Sequence, residues 1–478
     1  MSETIGEMII PGTYIEVRSE GLIGVSGIST GNVGVVGTAN RGPLNQVKVL
    51  GSYAEALDTF GSYDAWPADK ADIPRALSLV RALEQLFKGG AQTVYAVRVA
   101  NTGVTEMAST TWQVKTGTSN AFTLTATSPG TWANDIVAKI ETTGDPASSA
   151  TLTLQLGRVK ESFTAATAEA LAAQVNEGSR FVTAGAVASA QKTKVPTAVE
   201  APTAVGTNGD PITTVELAAG LNLLASQPVN IVTAGGMDIK TAAGAILAHL
   251  EATENDGRER IAVLGASTDA PDVIADAAAG DASRGSNPRL VLVAPGILAD
   301  DAARTGANRQ VKLTAPYAAA LVAGRMSTLA PHVSLTNKDV AADGLTRVYT
   351  RAEQKMLLGG QAMVLVQNLG IRVLKGITTD TGAFRQVSVR RVVDYAKEGV
   401  RRGSNPYIGR LNNPRVRAAL KATLDGFLSG MVLDEMLTGY ALDVTATRAQ
   451  EITGQAIVTM TLQPTFSIDF VKVIMNLQ

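Results

Sequence analysis

The stretch GQAIVTMTLQPTFSIDFVKVIMNLQ, residues 454–478, decides how the rest of the chain is read. In its first half Ala456, Val458, Met460 and Leu462 share one parity and Thr459, Thr461 and Gln463 the other, the period-two pattern of a half-buried strand. Pro464 has no backbone donor and splits the run in two. Beyond it Phe466, Ile468 and Phe470 alternate with Ser467 and Asp469, and the apolar set then jumps to Val471, Val473, Met475 and Leu477. A one-residue shift turns a strand inside out, so the sequence predicts either a bulge near Phe470 and Val471 or a passage from one sheet into another. A strand this apolar needs a cover, and addition to an open sheet edge is a common way for one chain to grip another.

The opposite end has a counterpart. After Ile9, Pro11 and Gly12, the residues Thr13, Ile15 and Val17 alternate with Tyr14, Glu16 and Arg18. The expected organisation is therefore an extended β arm at each end, residues 1–20 and 455–478, around a body. A glycine ladder, Gly21, Gly24, Gly27, Gly31, Gly34 and Gly37, joins the first arm to the body. A phosphate loop would need tighter glycine spacing and an immediate helix, whereas Arg41, Gly42 and Pro43 follow here, so a flexible connection into a first core strand at 33–36 is the better reading.

The body reads as α/β. Helical spacing of Ile73, Leu77, Val80, Leu83, Leu86 and Phe87, with Asp72 as cap and Gly89-Gly90 as stop, is followed by a strand at 93–99. The alternation resumes later: helices at 216–226, 239–252 and 271–278 lead into strands at 229–232, 261–264 and 290–293. Short apolar strands alternating with helices predict a parallel-rich sheet covered on both faces, built from residues 21–100 and 206–454. Further on come a small-residue helix at 315–326, a helix at 351–358, strands at 362–366 and 371–374, and helices at 387–401 and 414–436. The last has Pro414 at its first position and Arg417, Lys421 and Asp425 off its apolar stripe. Residues 101–205 change texture to Thr, Ser and Ala with alternating apolar positions and are expected to form an inserted, peripheral β-rich domain.

Composition narrows the chemistry. The 478 residues carry 42 Lys and Arg against 43 Asp and Glu, which argues against a polyanion or an acidic membrane as main partner. There is no cysteine, so disulfides and thiolate chemistry are excluded. No signal peptide is evident at residues 1–7, and no apolar run nears the ~20 residues that span a bilayer, so a soluble protein is expected. The two histidines are His249, inside an apolar helix, and His332, in a loop with no metal-ligand spacing around it. No nucleophile elbow joins a strand to a helix. Arg385, Arg390 and Arg391, with Arg401 and Arg402 beyond, are the densest positive cluster, read equally as a salt-bridged surface or a docking site.

Five motifs in order resemble the contractile tail sheath proteins of bacteriophages and R-type bacteriocins. PGTYIE at 11–16 is similar to the family's PGVY-x-E start, and VVGTANRGP at 35–43 to its VGTAxRGP strand and turn. FKGG at 87–90 through VYAVRV at 94–99 resembles its F-x-NGG and YVVRV segment. SPGTWAN at 128–134 resembles the insertion's SPGTWGN, with Ala133 in place of glycine, and the run from Pro464 to Leu477 resembles the family's tail.

The resemblance implies a non-enzymatic structural subunit without cofactor or metal. Such subunits form six-fold rings stacked helically around an inner tube, meet baseplate and tail terminator proteins, and contract to drive the tube through a bacterial envelope for genome ejection. They are assembled in the host cytoplasm and carried on the virion tail, without direct nucleic-acid contact or membrane insertion. The family's middle is called subtilisin-like, but no triad is present, so no protease activity is carried over. Inter-subunit contacts are expected from Ile9, Tyr14, Ile15, Val17, Phe466, Ile468, Phe470, Val471, Val473, Met475 and Leu477. Tube contacts are expected from Arg401, Arg402, Arg417 and Lys421, and hinge motion at Gly21, Gly24 and Gly27. The alternatives are the sheath of a DNA-free contractile particle and, behind it, an α/β hydrolase-like or nucleotide-binding enzyme or a carbohydrate-binding protein.

Overall fold

Strands at the centre of the molecule are apolar on both faces, and that fixes where they go. VGVVG, IAVLG and LVLVA are buried at every position, which only a sheet covered on both sides allows. The computed structural model describes residues 28–66, 77–101, 107–209, 212–304 and 309–475. The calls on Ile9, Asp72, Ile73, Leu477, the 1–20 arm and Gly21, Gly24 and Gly27 lie outside them.

The chain enters through β1 (Val33–Gly37), β2 (Val47–Leu50), α1 (Tyr53–Phe60), α2 (Leu79–Lys88) and β3 (Val94–Arg98). The insertion follows, with β4 (Thr111–Thr116), β5 (Ser119–Ala126), β6 (Val137–Thr143), β7 (Ser149–Leu156), β8 (Val159–Ala165), α3 (Ala168–Gly178), β9 (Val182–Ala184) and β10 (Ala198–Val199). The core then resumes with α4 (Thr214–Leu224), β11 (Ile231–Ala234), α5 (Ile239–Asn255), β12 (Ile261–Gly265), α6 (Pro271–Ala275) and β13 (Leu290–Ala294). It continues through β14 (Ile297–Asp300), β15 (Gln310–Leu313), α7 (Ala315–Ser327), β16 (Gly344–Leu345), α8 (Arg351–Gly359), β17 (Ala362–Gln367) and β18 (Ile371–Val373). Last come α9 (Val387–Ser404), α10 (Pro414–Leu433), β19 (Leu437–Thr445), α11 (Arg448–Ile452) and β20 (Ile457–Pro464).

The main sheet has the order β18-β17-β13-β12-β11-β1-β3-β2. All pairs from β17 to β3 are parallel, and only the two edge strands run antiparallel. Alternate residues face two separate cores. Val33, Val35, Val94, Ala96, Val263, Val291 and Met363 meet α2 and α7, whereas Val36, Val97, Leu264, Leu292 and Val364 meet α4, α5 and α8. The fold class expected from the sequence is the one observed. Helix α7 is almost wholly buried between α2 and the sheet, and two glycines let α2 approach it. A Cβ on Gly324 would lie 2.2 Å from the Leu86 carbonyl oxygen, and one on Gly89 would lie 2.4 Å from that of Leu321. Among the described residues no helix is long and apolar enough to cross a membrane.

The insertion has its own core around Trp112, Phe122, Leu124, Trp132, Leu152, Leu154 and Leu171, enclosed by the sheets β10-β4-β5-β9 and β6-β7-β8. It docks on the main body through three of the motifs quoted above. Ser128 Oγ accepts the Gly42 N–H at 3.0 Å, and the Arg41 guanidinium lies 4.6 Å from the Trp132 ring centroid. Arg98, fully buried at the end of β3, donates to the carbonyls of Gly42 (2.5 Å) and Pro129 (2.9 Å). Gly130 sits at φ +132, where a Cβ would lie 1.9 Å from the Asn40 carbonyl oxygen. Gly130→Ala is therefore expected to destabilise the protein by roughly 2–4 kcal/mol through strain and displaced packing. A urea midpoint unchanged from wild type would contradict this account of the junction.

The histidine of the apolar helix at 239–252 is packed in the core. His249, 5% exposed on the inner side of α5, has its Nε2 2.7 Å from Arg260 Nη1. The arginine is a donor only, so the ring nitrogen accepts. Burial first, and the Arg260 charge second, lower the imidazole pKa to about 4. Unfolded histidine titrates near 6.5, so acid loads the unfolded chain first. The contribution is complete above about pH 6.5 and falls by up to ~3 kcal/mol as the pH drops toward 4. In urea unfolding between pH 7 and 4.5, His249→Gln should flatten part of the wild-type pH dependence. Parallel curves would overturn the assignment.

Candidate assembly surface

The last described unit is built on α9 and α10, which cross face to face where Gly399 admits the Phe427 ring. A Cβ on Gly399 would lie 1.9 Å from Phe427 Cζ. Helix α10 starts with Pro414 in its first turn, as the sequence predicts, and Asn413 Oδ1 caps it by accepting the Val416 N–H. Against these helices lies the antiparallel pair β19–β20, in register from Leu437↔Pro464 to Thr445↔Ile457, with an irregularity between Leu437 and Gly439. Leu437, Tyr440, Leu442, Val444, Val458, Met460 and Leu462 pack inward, and Thr459, Thr461 and Gln463 face out.

This pairing corrects one expectation. The strand runs from Ile457 to Pro464 with Val458, Met460 and Leu462 inward as predicted, Ala456 lies exposed before it, and its partner is β19 of the same chain. The hairpin forms because the turn through α11 returns the chain antiparallel to itself, with a capping box of Thr447 and Gln450 opening that helix. The extended tail proper therefore begins after Pro464. Two features of this unit remain open. The hairpin is a two-stranded sheet, so among the described residues neither outer edge has a strand partner. The tail leaves its apolar side chains in solvent: Ile468 is 81% exposed, Phe470 83%, Val471 80% and Met475 85%, with Phe466 and Val473 also exposed.

The cations singled out in the sequence fall into different environments. Arg390 and Arg391 are buried in α9 and are neither a salt-bridged surface nor a docking site. Arg390 binds Asp394 at 2.6 Å, and Arg391 donates to the carbonyls of Thr30, Leu329 and Ala330. Arg401 reaches from α9 to Glu259 (2.9 Å) and Glu398 (2.7 Å), and Arg402 to Glu398 (2.6 Å). Arg417, expected to point outward, is largely covered and binds Glu451 at 3.0 Å and Asn412 at 2.8 Å. Lys421 makes an exposed pair with Asp443 at 3.2 Å. The four therefore occupy two places, Arg401 and Arg402 beside the core and Arg417 and Lys421 beside the hairpin.

One residue missed in the sequence joins this unit to the core. Arg289, at the mouth of β13, makes bidentate contacts with Glu254 (2.7 and 2.7 Å) and with Asp394 (2.8 and 3.0 Å). Hydrogen bonding from Arg289 holds the Glu254 carboxyl down to about 2. Lys397 adds a bond to Glu254 at 2.8 Å. A lone arginine before a strand carries no sequence signal for this role, because its partners are 35 and 105 residues away. His332 lies in the turn after α7, and among the described residues no cluster of three or more metal-binding side chains occurs.

Residues 379–478 match the family model of the phage tail sheath C-terminal domain, the segment that holds α9, α10, the hairpin and the tail. No curated protein matches the chain in sequence. Solved structures match over nearly its whole length. A sheath tail protein from Desulfitobacterium hafniense aligns with a TM-score of 0.65 at 18% identity, covering 95% of this chain and 100% of that one. One from Listeria innocua aligns at 0.65 and 14%, covering 94% and 95%. The helical sheath of the anti-feeding prophage in its contracted state aligns at 0.57 and 14%, covering 98% and 99%. Residues 379–478 are thus similar to the phage tail sheath C-terminal domain, and over nearly its full length the chain has the fold of the sheath structures with which it aligns.

Proposed function

We propose that this chain is the repeating subunit of a contractile sheath that polymerises around an inner tube and contracts to drive that tube through a bacterial envelope. The observation that carries the reading is the unfinished carboxy-terminal unit. A two-stranded hairpin with open edges and an apolar tail beside it cannot both stay solvated in a stable particle, and each supplies what the other lacks in a neighbouring copy. The inserted domain keeps its own core and is assigned a peripheral position. Homo-oligomeric rings, stacked helically, follow from repeating that donation at every subunit. Baseplate and tail terminator proteins would close the ends, and no enzymatic step, cofactor or nucleic-acid contact is part of the mechanism.

The inner tube is assigned to the α10 face bearing Arg417 and Lys421. Arg401 and Arg402 were read with them, but their carboxylate partners on α9 and the core give them a bracing part as well. The arm residues Ile9, Tyr14, Ile15 and Val17 are assigned to a neighbour's sheet, and Gly21, Gly24 and Gly27 to the hinge that lets bodies turn while arms stay paired. On a phage the particle would be a virion tail, assembled in the host cytoplasm, and contraction would serve genome ejection. The likeness to the sheath of an extracellular contractile injection system favours a second setting, an injection particle, to which we assign no DNA; nuclease protection of nucleic acid in purified particles separates the two.

Truncation after Pro464 keeps the hairpin and removes the tail, a cleaner cut than one after Gly454, which would also strip β20 from β19. The truncated chain should stay folded and soluble and form no tubes in negative-stain micrographs, whereas the full chain should form long striated ones. Each strand hydrogen bond nets only ~1 kcal/mol, but several are lost per subunit. A few residues inserted at Gly24 should give sheaths that assemble and fail to contract. Normal tubes from the truncated chain would refute the tail assignment.

A further inference from the structure

The tail does not leave the body at the end of β20. Its residues 465–469 run back across the core and are fastened there side chain by side chain. Thr465 donates its N–H to the Met436 carbonyl at 3.1 Å. The Gln386 side chain, at the N-cap of α9, grips residue 467 from both sides: its Oε1 accepts the Ser467 N–H at 3.2 Å and its Nε2 donates to the Ser467 carbonyl at 3.4 Å. Asp469 is the centre of the attachment. Its carboxylate binds Lys375 Nζ at 3.1 Å and accepts from Gln386 Nε2 at 3.3 Å, from Thr336 Oγ1 at 3.4 Å and from Ser467 Oγ at 3.4 Å. The ion pair is mostly covered, with side chains 15% and 12% exposed, so solvent screens it less than an open surface pair. Thr336 is itself fixed by the Gly376 N–H and by Ser334, and the Lys375 ammonium lies 4.9 Å from the Phe470 ring centroid.

The attachment explains a sequence feature that the fold alone leaves without a cause. Up to Phe470 the polar residues Ser467 and Asp469 face the body and the apolar ones face away; from Val471 the apolar parity is reversed. The switch falls directly after the last fastened residue. Among the described residues, 471–475 belong to no strand. The two parities thus belong to two surroundings, the chain's own body before 470 and a different one after it.

We propose that Asp469, held by Lys375, Gln386 and Thr336, is the positioning residue that launches the tail, fixing where the donated strand begins and in which direction it leaves. This rests on the sheath reading and names the part of the tail that is not donated. Freeing residues 465–469 would lengthen the loose run by roughly 16 Å of extended chain and remove its preset direction. The partner, a second copy of this chain, would then have to order a longer and more diffuse segment, which weakens capture.

The test uses the full chain with Asp469→Asn, Lys375→Met, and the double exchange Asp469→Lys with Lys375→Asp. Hydrogen exchange of the unassembled protein reads the anchor itself. Protection at the Ser467 amide should fall about tenfold in both single variants, the scale of a lost charge-assisted bond, and recover at least in part in the exchange. Thermal unfolding of the body should not move beyond a few degrees in any of them. The concentration needed for tube formation should rise about tenfold in the single variants and return toward wild type in the exchange. Unchanged exchange protection in Asp469→Asn, or tubes at the wild-type concentration despite lost protection, would overturn the proposal. If the wild-type chain forms no tubes at all, the sheath reading fails, while the exchange data still decide whether Asp469 is an anchor.

Discussion

An unpaired strand edge is a row of amide and carbonyl groups waiting for a partner, and among the described residues the small β19–β20 hairpin keeps both of its outer edges open. Proteins that must remain monomeric blunt such edges with charge, proline or a covering loop. Here the inward face of the hairpin is packed on α9 and α10, among the described residues its edges stay open, and the tail of the same chain, fastened to the body up to residue 469, keeps its apolar side chains exposed. The body needs neither edge for its own stability. The eight-stranded sheet closes its two cores with helices on both faces, and the insertion closes a third. Other sheets also end in edge strands, but among the described residues only this end combines an open two-stranded hairpin with a run of exposed apolar side chains from 466 to 475, which is why another copy is proposed as its partner.

The connection between that end and the body has a different character from either. Beyond its first turn, α9 meets the core through Arg289, Glu254, Asp394, Lys397, Glu259 and Arg401, and the cleft alongside encloses about 420 Å³ lined by both charges and by Tyr395. A buried guanidinium shared by two carboxylates is costly to leave half-made, so the arrangement selects one geometry more than it adds stability. Charge holds α9 to the core; apolar packing holds it to α10. A subunit that must pass load from its donated strand to its body needs the second kind of contact inside the moving unit and tolerates the first kind at its border.

Much of this was legible in the sequence where period and burial agree. The doubly apolar strands at 33–37, 261–265 and 290–294 announce a covered parallel sheet without help from any partner. The motifs carry more than likeness: Arg41-Gly42, Arg98 and Ser128-Pro129-Gly130 meet in space, and their side chains and bare backbones build the junction of core and insertion. What escaped was mostly non-local. Strand β19 shows no clean alternation, because the irregularity at Leu437 and Gly439 puts Leu437 and Tyr440 out of step, so residues 457–464 looked like a strand without a partner at home. Arg417 sits off the apolar stripe of α10 as a surface cation would, yet Asn412, just before the helix, and Glu451, 34 residues on, cover it. Arg390 and Arg391 look alike in sequence and are both buried, one on a carboxylate and one on carbonyls, which local charge density cannot distinguish. The parity switch at 470 was visible from the start; its cause, a carboxylate pinned to the core, was not.

The central claim is that the hairpin is completed by another copy of the chain. A helical reconstruction of the polymer formed by the full chain, at a resolution that separates strands, addresses it directly. The account predicts added strands on the β19–β20 sheet, with backbone density traceable to the body of a different subunit. A polymer in which that sheet remains two-stranded, and in which the tail after Phe470 folds onto its own subunit, would contradict it.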